Sequence, residues 1–252
     1  MIRKAVKKSH GGLNPEFRYR GEEQTRIETF SDAVFALAVT LMVLSSTVPN
    51  TFADLQKSLA DVVPFGICIV LLSVIWFQHY IFFIRYGFRD VKIVAINTIL
   101  LFLVLIYVYP LKFLFKFLFG MYSALLTDDR ETFNYLNTEV INSSEMSSLL
   151  FIYGIGAMLI FLVLAWMYAL ANSRRRAIGL NTVEVFLTRT GIYNNLLMAA
   201  VPFISCIITL IPFSNQFSKV IIAGFSYWLY PVLLPTFHAI RNKRYKKLLL
   251  NI

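Results

Sequence analysis

Charge is scarce in this chain: only 15% of its 252 residues are Asp, Glu, Lys or Arg, against about 25% in soluble domains. Cysteine stops at two and histidine at three. Cys68 and Cys206 lie inside apolar runs, which gives no disulfide framework and no metal site; both read as small buried hydrophobes. His10, His79 and His238 are far apart in the sequence. A Gly-rich phosphate cradle, a CxxC pair, HExxH and GxSxG are all missing. Intramembrane enzymes need a catalytic pair at membrane depth and none is apparent, so no enzyme and no cofactor are expected.

What the chain has in excess is apolar sequence, 58% of the total. It falls in six blocks, Ile27–Val48, Val62–Phe83, Val91–Phe119, Ser148–Ala171, Gly191–Ile211 and Val220–Ile240. Each is long enough to cross a hydrocarbon core of about 30 Å, which takes about 20 helical residues. None alternates with a period of two, which argues against a barrel. The fold class expected is therefore an all-α integral membrane protein with six transmembrane helices. The third block exceeds one span and holds Pro110 and Lys112; its end either lies at the interface or extends the helix. The first block follows a polar arm, contains acidic residues and lacks a small-residue cleavage site, so it does not read as a signal peptide.

Lys and Arg give the orientation. Of the 24, 19 lie in the N-terminal arm, the second and fourth connections and the C-terminal tail. That asymmetry predicts cytosolic N- and C-termini and an even number of spans. Three segments follow: a mobile cytosolic arm over 1–25, a six-helix membrane domain over 26–240 and a basic cytosolic tail over 241–252. The net charge of +10 flanks apolar spans, where it sets topology and meets anionic lipid; membrane lipid is an expected partner and nucleic acid is not. The connection Gly120–Ser147 is acidic. It reads as a solvated loop or as a weak concentrator of cations at an outer mouth.

The first span carries unusual polarity. Glu28 and Asp32 sit in its cytosolic third, and an acidic residue at a helix centre costs about 2.5–3.5 kcal/mol on insertion scales, less near an end. At about 100° per residue, Leu37, Leu41 and Leu44 form one stripe with Thr40 beside it. Asp32 points roughly 140° away from Leu37 by the same count. The stripe can meet lipid, a pore or a symmetry mate. Asp32 instead turns toward the chain's own helices, where Trp76 and His79 share a face and Asn97 lies in the third span. A cluster of Ser31, Asp32, Trp76, His79 and Asn97 serves either as polar glue or as a gating or proton-sensing group, since histidine titrates near neutral pH. The carbonyl filter of the TVGYG type is absent, so a cation channel built from this chain selects with helix side chains.

Arg26, Phe30, Ser31 and Asp32 spell RxxxFSD, and the chain continues AVFALAVTLMVL. This resembles the opening of the transmembrane protein 175 family of potassium channels, as do the WxxH element at Trp76 and His79 and the six-span layout. One motif and one set of six spans resemble the prokaryotic form. The resemblance implies a homotetramer in the bacterial inner (plasma) membrane with four first helices around a central pore. It implies a constriction at Leu37, where several relatives have Ile, with Leu41 and Leu44 continuing the lining. It assigns potassium selectivity to Thr40 and places permeant potassium ions near Leu37 and Thr40. Arg26, Ser31 and Asp32, with Trp76, His79 and Asn97, then form the network behind the pore helix. A proton-coupled secondary transporter, with broken helices and midplane binding groups, is the competing expectation, and a membrane scaffold without transport is another.

Overall fold

The structure, a computed structural model, describes residues 14–21, 23–44 and 49–250. Among them all regular secondary structure is helical, and six helical segments are long and apolar enough to span a membrane. Helix α1 (Arg26–Leu44) is followed by short α2 (Phe52–Ala60), then α3 (Val62–Tyr86) and α4 (Val91–Leu126). Short α5 (Arg130–Tyr135) and one π turn (Leu136–Val140) lead to α6 (Ser143–Ser173) and α7 (Thr182–Leu210). The last span consists of α8 (Gln216–Phe225), a 3-10 turn (Ser226–Leu229) and α9 (Tyr230–Leu250).

The helix starts obey local rules. Thr25 and Glu28 form a capping box at α1: Glu28 Oε2 accepts from the Thr25 N–H at 2.8 Å and from its hydroxyl at 2.9 Å, while the Glu28 N–H donates to Thr25 Oγ1 at 3.2 Å. Glu28 thus has a local structural role and sits in a favourable position for the helix dipole. Thr51 with Asp54 and Asn181 with Glu184 make the same device at α2 and α7. Asp90 caps α4 by accepting from the Lys92 N–H at 3.1 Å. Ser45 to Val48, the end of the first predicted block, lie outside the described residues.

Helix α4 runs through Pro110 for 36 residues, about 54 Å at 1.5 Å per residue, so the sequence beyond Pro110 extends the helix. Its far part is tied to neighbours. Lys112 Nζ donates to the Met42 carbonyl of α1 at 2.7 Å, and Lys116 pairs with Asp61 at 2.7 Å. The Tyr153 hydroxyl bonds the Pro110 carbonyl. The predicted fifth block is short by nine residues at its start, because Glu184 and Arg189 interrupt the apolar pattern although the helix begins at Thr182. The sixth span is broken at Ser226–Leu229. There the Ala223 carbonyl accepts from the hydroxyls of Ser205 at 3.0 Å and Ser226 at 2.7 Å, so the broken backbone is satisfied within the bundle.

Helices α6 and α7 make the most extensive contact in the chain, and α8 packs on both. Helix α1 packs on α3 and α4. The core between them includes Phe35, Ala38, Met42, Leu72, Ile75, Ile93, Leu100 and Val104. Cys68 and Cys206 are free thiols buried in the bundle.

The arm expected to be mobile is docked over Asn14–Gly21. Phe17 is 2% exposed, edge-on to Tyr86 and beneath the Arg85 guanidinium at 5.1 Å. The Arg20 and Gly21 N–H groups donate to the Arg85 and Ile84 carbonyls at 3.2 and 3.0 Å, filling acceptors that the end of α3 leaves open. Burying an aromatic ring and pairing these backbone groups outweighs the freedom that polar composition suggests. Asn14 also exchanges hydrogen bonds with Tyr245 of α9, which ties this segment to the last helix. Residues 1–13 and 22 lie outside the described residues.

Candidate functional site

Helix α1 divides its residues cleanly. Ser31, Val34, Phe35, Ala38 and Met42 are buried on one face, at the three- and four-residue spacing of an inward stripe. On the other face Leu37 is 49% exposed, Leu41 41% and Leu44 71%, and Thr40 is exposed too. Among the described residues these apolar side chains are only partly covered. The Thr40 hydroxyl donates to the Ala36 carbonyl of its own helix at 2.9 Å. Its hydrogen is thereby committed, and the oxygen lone pairs remain available to a cation.

Behind this face the predicted polar cluster resolves into two separate groups. The first is a buried relay. His79 Nε2 donates to Asn97 Oδ1 at 2.8 Å, since that amide oxygen can only accept. Asn97 Nδ2 donates to Ser31 Oγ at 2.8 Å, and the Ser31 hydroxyl donates to the Ile27 carbonyl at 2.8 Å. The side chains of α3 and α4 are thus wired to the backbone of α1. Phe35 and Phe83 flank the imidazole at 5.7 and 4.7 Å between ring centroids.

The second group is half-exposed. Trp76 Nε1 donates to Asp32 Oδ1 at 2.8 Å, and Gln24 Nε2 donates to Asp32 Oδ2 at 3.1 Å. Both carboxylate oxygens are engaged. Trp76 is stacked on Tyr80 at 5.8 Å. Asp32 and His79 share no hydrogen bond; Ser31, one step along α1, is what reaches the Asn97–His79 pair.

Arg26 and Phe30 are exposed, Phe30 to 62%, and neither joins these two groups. The sequence reading missed Gln24 as a partner of Asp32 and Glu28 as a cap; the Thr25-x-x-Glu28 spacing carried the second. It also missed the pairing of Arg20 with Glu184, which lie 164 residues apart in the chain and give no local signal of meeting. Arg20 holds Glu184 through Nη1 and Nη2 at 2.9 and 2.8 Å, and donates to the Ile178 and Gly179 carbonyls at 3.0 and 2.9 Å.

At the same end of the bundle, Arg174 makes a two-pronged pair with Asp90 at 2.6 and 3.1 Å. It also lies over the Phe88 ring at 5.3 Å. The Arg174 hydrogen bond holds the Asp90 carboxyl below its usual range, and the pairing raises Arg174 in turn.

Comparison with known proteins gives the site its setting. The profile of the family described as the endosomal/lysosomal potassium channel TMEM175 matches residues 26–109. That stretch holds α1 and every member of both groups except Gln24. A curated potassium channel of Marivirga tractuosa is 49% identical over 243 residues, covering 94% of this chain and 96% of that protein. The chain belongs to the TMEM175 family of potassium channels. A crystal structure of a Thr-to-Ala variant of the potassium channel MtTMEM175, in complex with a nanobody–MBP fusion protein, superposes with a TM-score of 0.80. It is 48% identical and covers 92% of this chain and 99% of that one. TMEM175 proteins are ion channels, so the chain is not an enzyme.

Proposed function

We propose that this chain is a potassium channel of the bacterial inner (plasma) membrane, assembled as a homotetramer with both termini cytosolic and α1 lining the central pore. The observation that carries this reading is the outward stripe of Leu37, Thr40, Leu41 and Leu44, left uncovered on a helix whose other face is fully packed. Four such stripes around an axis cover one another from lipid. The Leu37 ring forms a neck that gates by dewetting. Thr40, with its hydroxyl hydrogen already bonded to Ala36, offers oxygen to a partly dehydrated cation. Potassium sheds water more readily than sodium, so a narrow and weakly coordinating neck favours it modestly. The Ser31 relay and the Asp32 pair fix the rear of the pore helix. Anionic lipid meets the basic end of the bundle.

The test is the reversal potential of purified protein in planar bilayers under opposed potassium and sodium gradients. A shift toward the potassium equilibrium potential, with unitary current steps, is expected. Flux without unitary steps identifies a secondary transporter, and no flux at all identifies a scaffold.

A further inference from the structure

Helix α1 rests on α3 and α4, whereas the other half of the bundle is built on α6 and α7. Helix α4 packs on α6 as well and so already links the two halves; Asn14–Gly21 adds a further route, from α1 directly to α7. Arg20 grips Glu184 of α7 and the Ile178 and Gly179 carbonyls of the α6–α7 connection. The Arg18 N–H donates to Glu184 Oε1 at 2.8 Å. Glu184 is buried, with Arg20 as its ion-pair partner at 2.8 Å, so this end of the segment is firmly held.

Its passage over α3 needs two glycines. A Cβ on Gly21 would meet the Phe83 carbonyl oxygen at 2.5 Å and Ile84 Cα at 2.9 Å. Gly87, at φ +62°, would place a Cβ 2.9 Å from the Arg20 carbonyl oxygen. The chain thus lies flat on the end of α3 in close backbone contact there, with the Phe17 ring packed beside it. The tether to α1 is short: five steps from Gly21 to Arg26 reach at most about 18 Å. Gln24 and Thr25 shorten it further, because they already bond Asp32 and Glu28.

We propose that Asn14–Gly21 is a strap that transmits the position of α6–α7 to the pore helix, with Arg20 and Glu184 as positioning residues for gating. The proposal rests on α1 lining the pore. A strap of this kind acts on how often the neck opens and leaves its lining untouched.

The experiment uses the full-length chain in planar bilayers, with two alterations recorded beside the unaltered protein. Arg20→Gln removes the grip on Glu184. Insertion of three glycines between Gly21 and Gln24 leaves the strap's contacts in place and gives the tether slack. Both are expected to shift open probability at least threefold, in the same direction as each other, with unitary conductance and the potassium-to-sodium permeability ratio unchanged. A purely structural strap predicts wild-type gating for the insertion, and that result overturns the proposal even if Arg20→Gln fails to fold. Opposite shifts in the two variants, or a changed permeability ratio, overturn it as well. If the unaltered protein passes no current, the pore reading falls and this proposal with it; current with unchanged gating sinks the strap alone.

Discussion

Trp76 donates its indole N–H to the Asp32 carboxylate across 2.8 Å, joining α3 to α1. The bond is charge-assisted, so its loss is felt. Trp76→Phe keeps an aromatic ring there and removes the donor. Expected is a loss of about 1–3 kcal/mol, toward the lower end because Trp76 is 36% exposed. Asp32→Asn keeps an acceptor oxygen for Trp76 and is expected to cost less. Thermal unfolding in detergent ranks the two. If open probability also moves in Trp76→Phe and stays put in Asp32→Asn, the hydrogen bond matters for gating and the charge does not.

Asn97 bridges His79 and Ser31, and all three are buried. Asn97→Ala leaves the His79 N–H and the Ser31 oxygen without this partner in a dry interior. The expected destabilisation is about 1–3 kcal/mol, the usual cost of an orphaned buried polar group. Ser31→Ala is milder, since Asn97 loses one acceptor and keeps its bond to His79. A denaturation midpoint that does not move in Asn97→Ala would remove the relay from the account of stability.

The outward face of α1 predicts the reverse pattern. Leu37→Ala and Thr40→Ala alter residues that hold little of the protomer together, so subunit stability should shift within about 0.5 kcal/mol. Permeation should respond instead. If Leu37 forms the proposed neck, Leu37→Ala is expected to raise conductance or admit more sodium. Thr40→Ala is expected to lower the potassium-to-sodium permeability ratio. Reversal potentials that match the unaltered channel in both variants show that the lining is misassigned.

Much of this site was legible in the sequence, for a simple reason. Helical periodicity fixes relative direction, so Asp32 had to point away from the Leu37 stripe and Trp76 and His79 had to share a face of α3 if the blocks were helices. Periodicity does not fix depth. Ser31 and Asp32 differ by one step of about 100°, enough to send them to different partners, and that is why one predicted cluster became two. The docking of Phe17 and Arg20 was not legible, because polar composition describes a segment's own preference and says nothing of a groove formed by residues 84–87 and 178–184. Continuation of α4 through Pro110 was one of two readings the sequence left open: the proline removes one backbone donor, and packing of the flanking turns overrides that loss.

The Asp90–Arg174 pair yields a pH prediction. The Asp90 carboxyl is held below its usual range by the Arg174 hydrogen bond, so the folded state binds its proton less tightly than the unfolded chain. Stability from this pair is therefore present above the unfolded value of about 3.9 and disappears as pH falls through the folded value. Asp90→Asn should lower the unfolding temperature near neutral pH, and the gap to the unaltered protein should close as the pH drops below about 4. A gap that stays constant across that range would show that the pair contributes nothing through ionisation.

The two-sided character of α1 has a consequence for how such channels diversify. The buried contacts of the helix lie on the Ser31–Met42 side, and on the proposed pore reading the Leu37–Leu44 side is the one that meets a permeating ion. Substitutions on the second side do not put the subunit's folding at risk. On that reading, conductance and ion preference can change through the outward face while the architecture stays still.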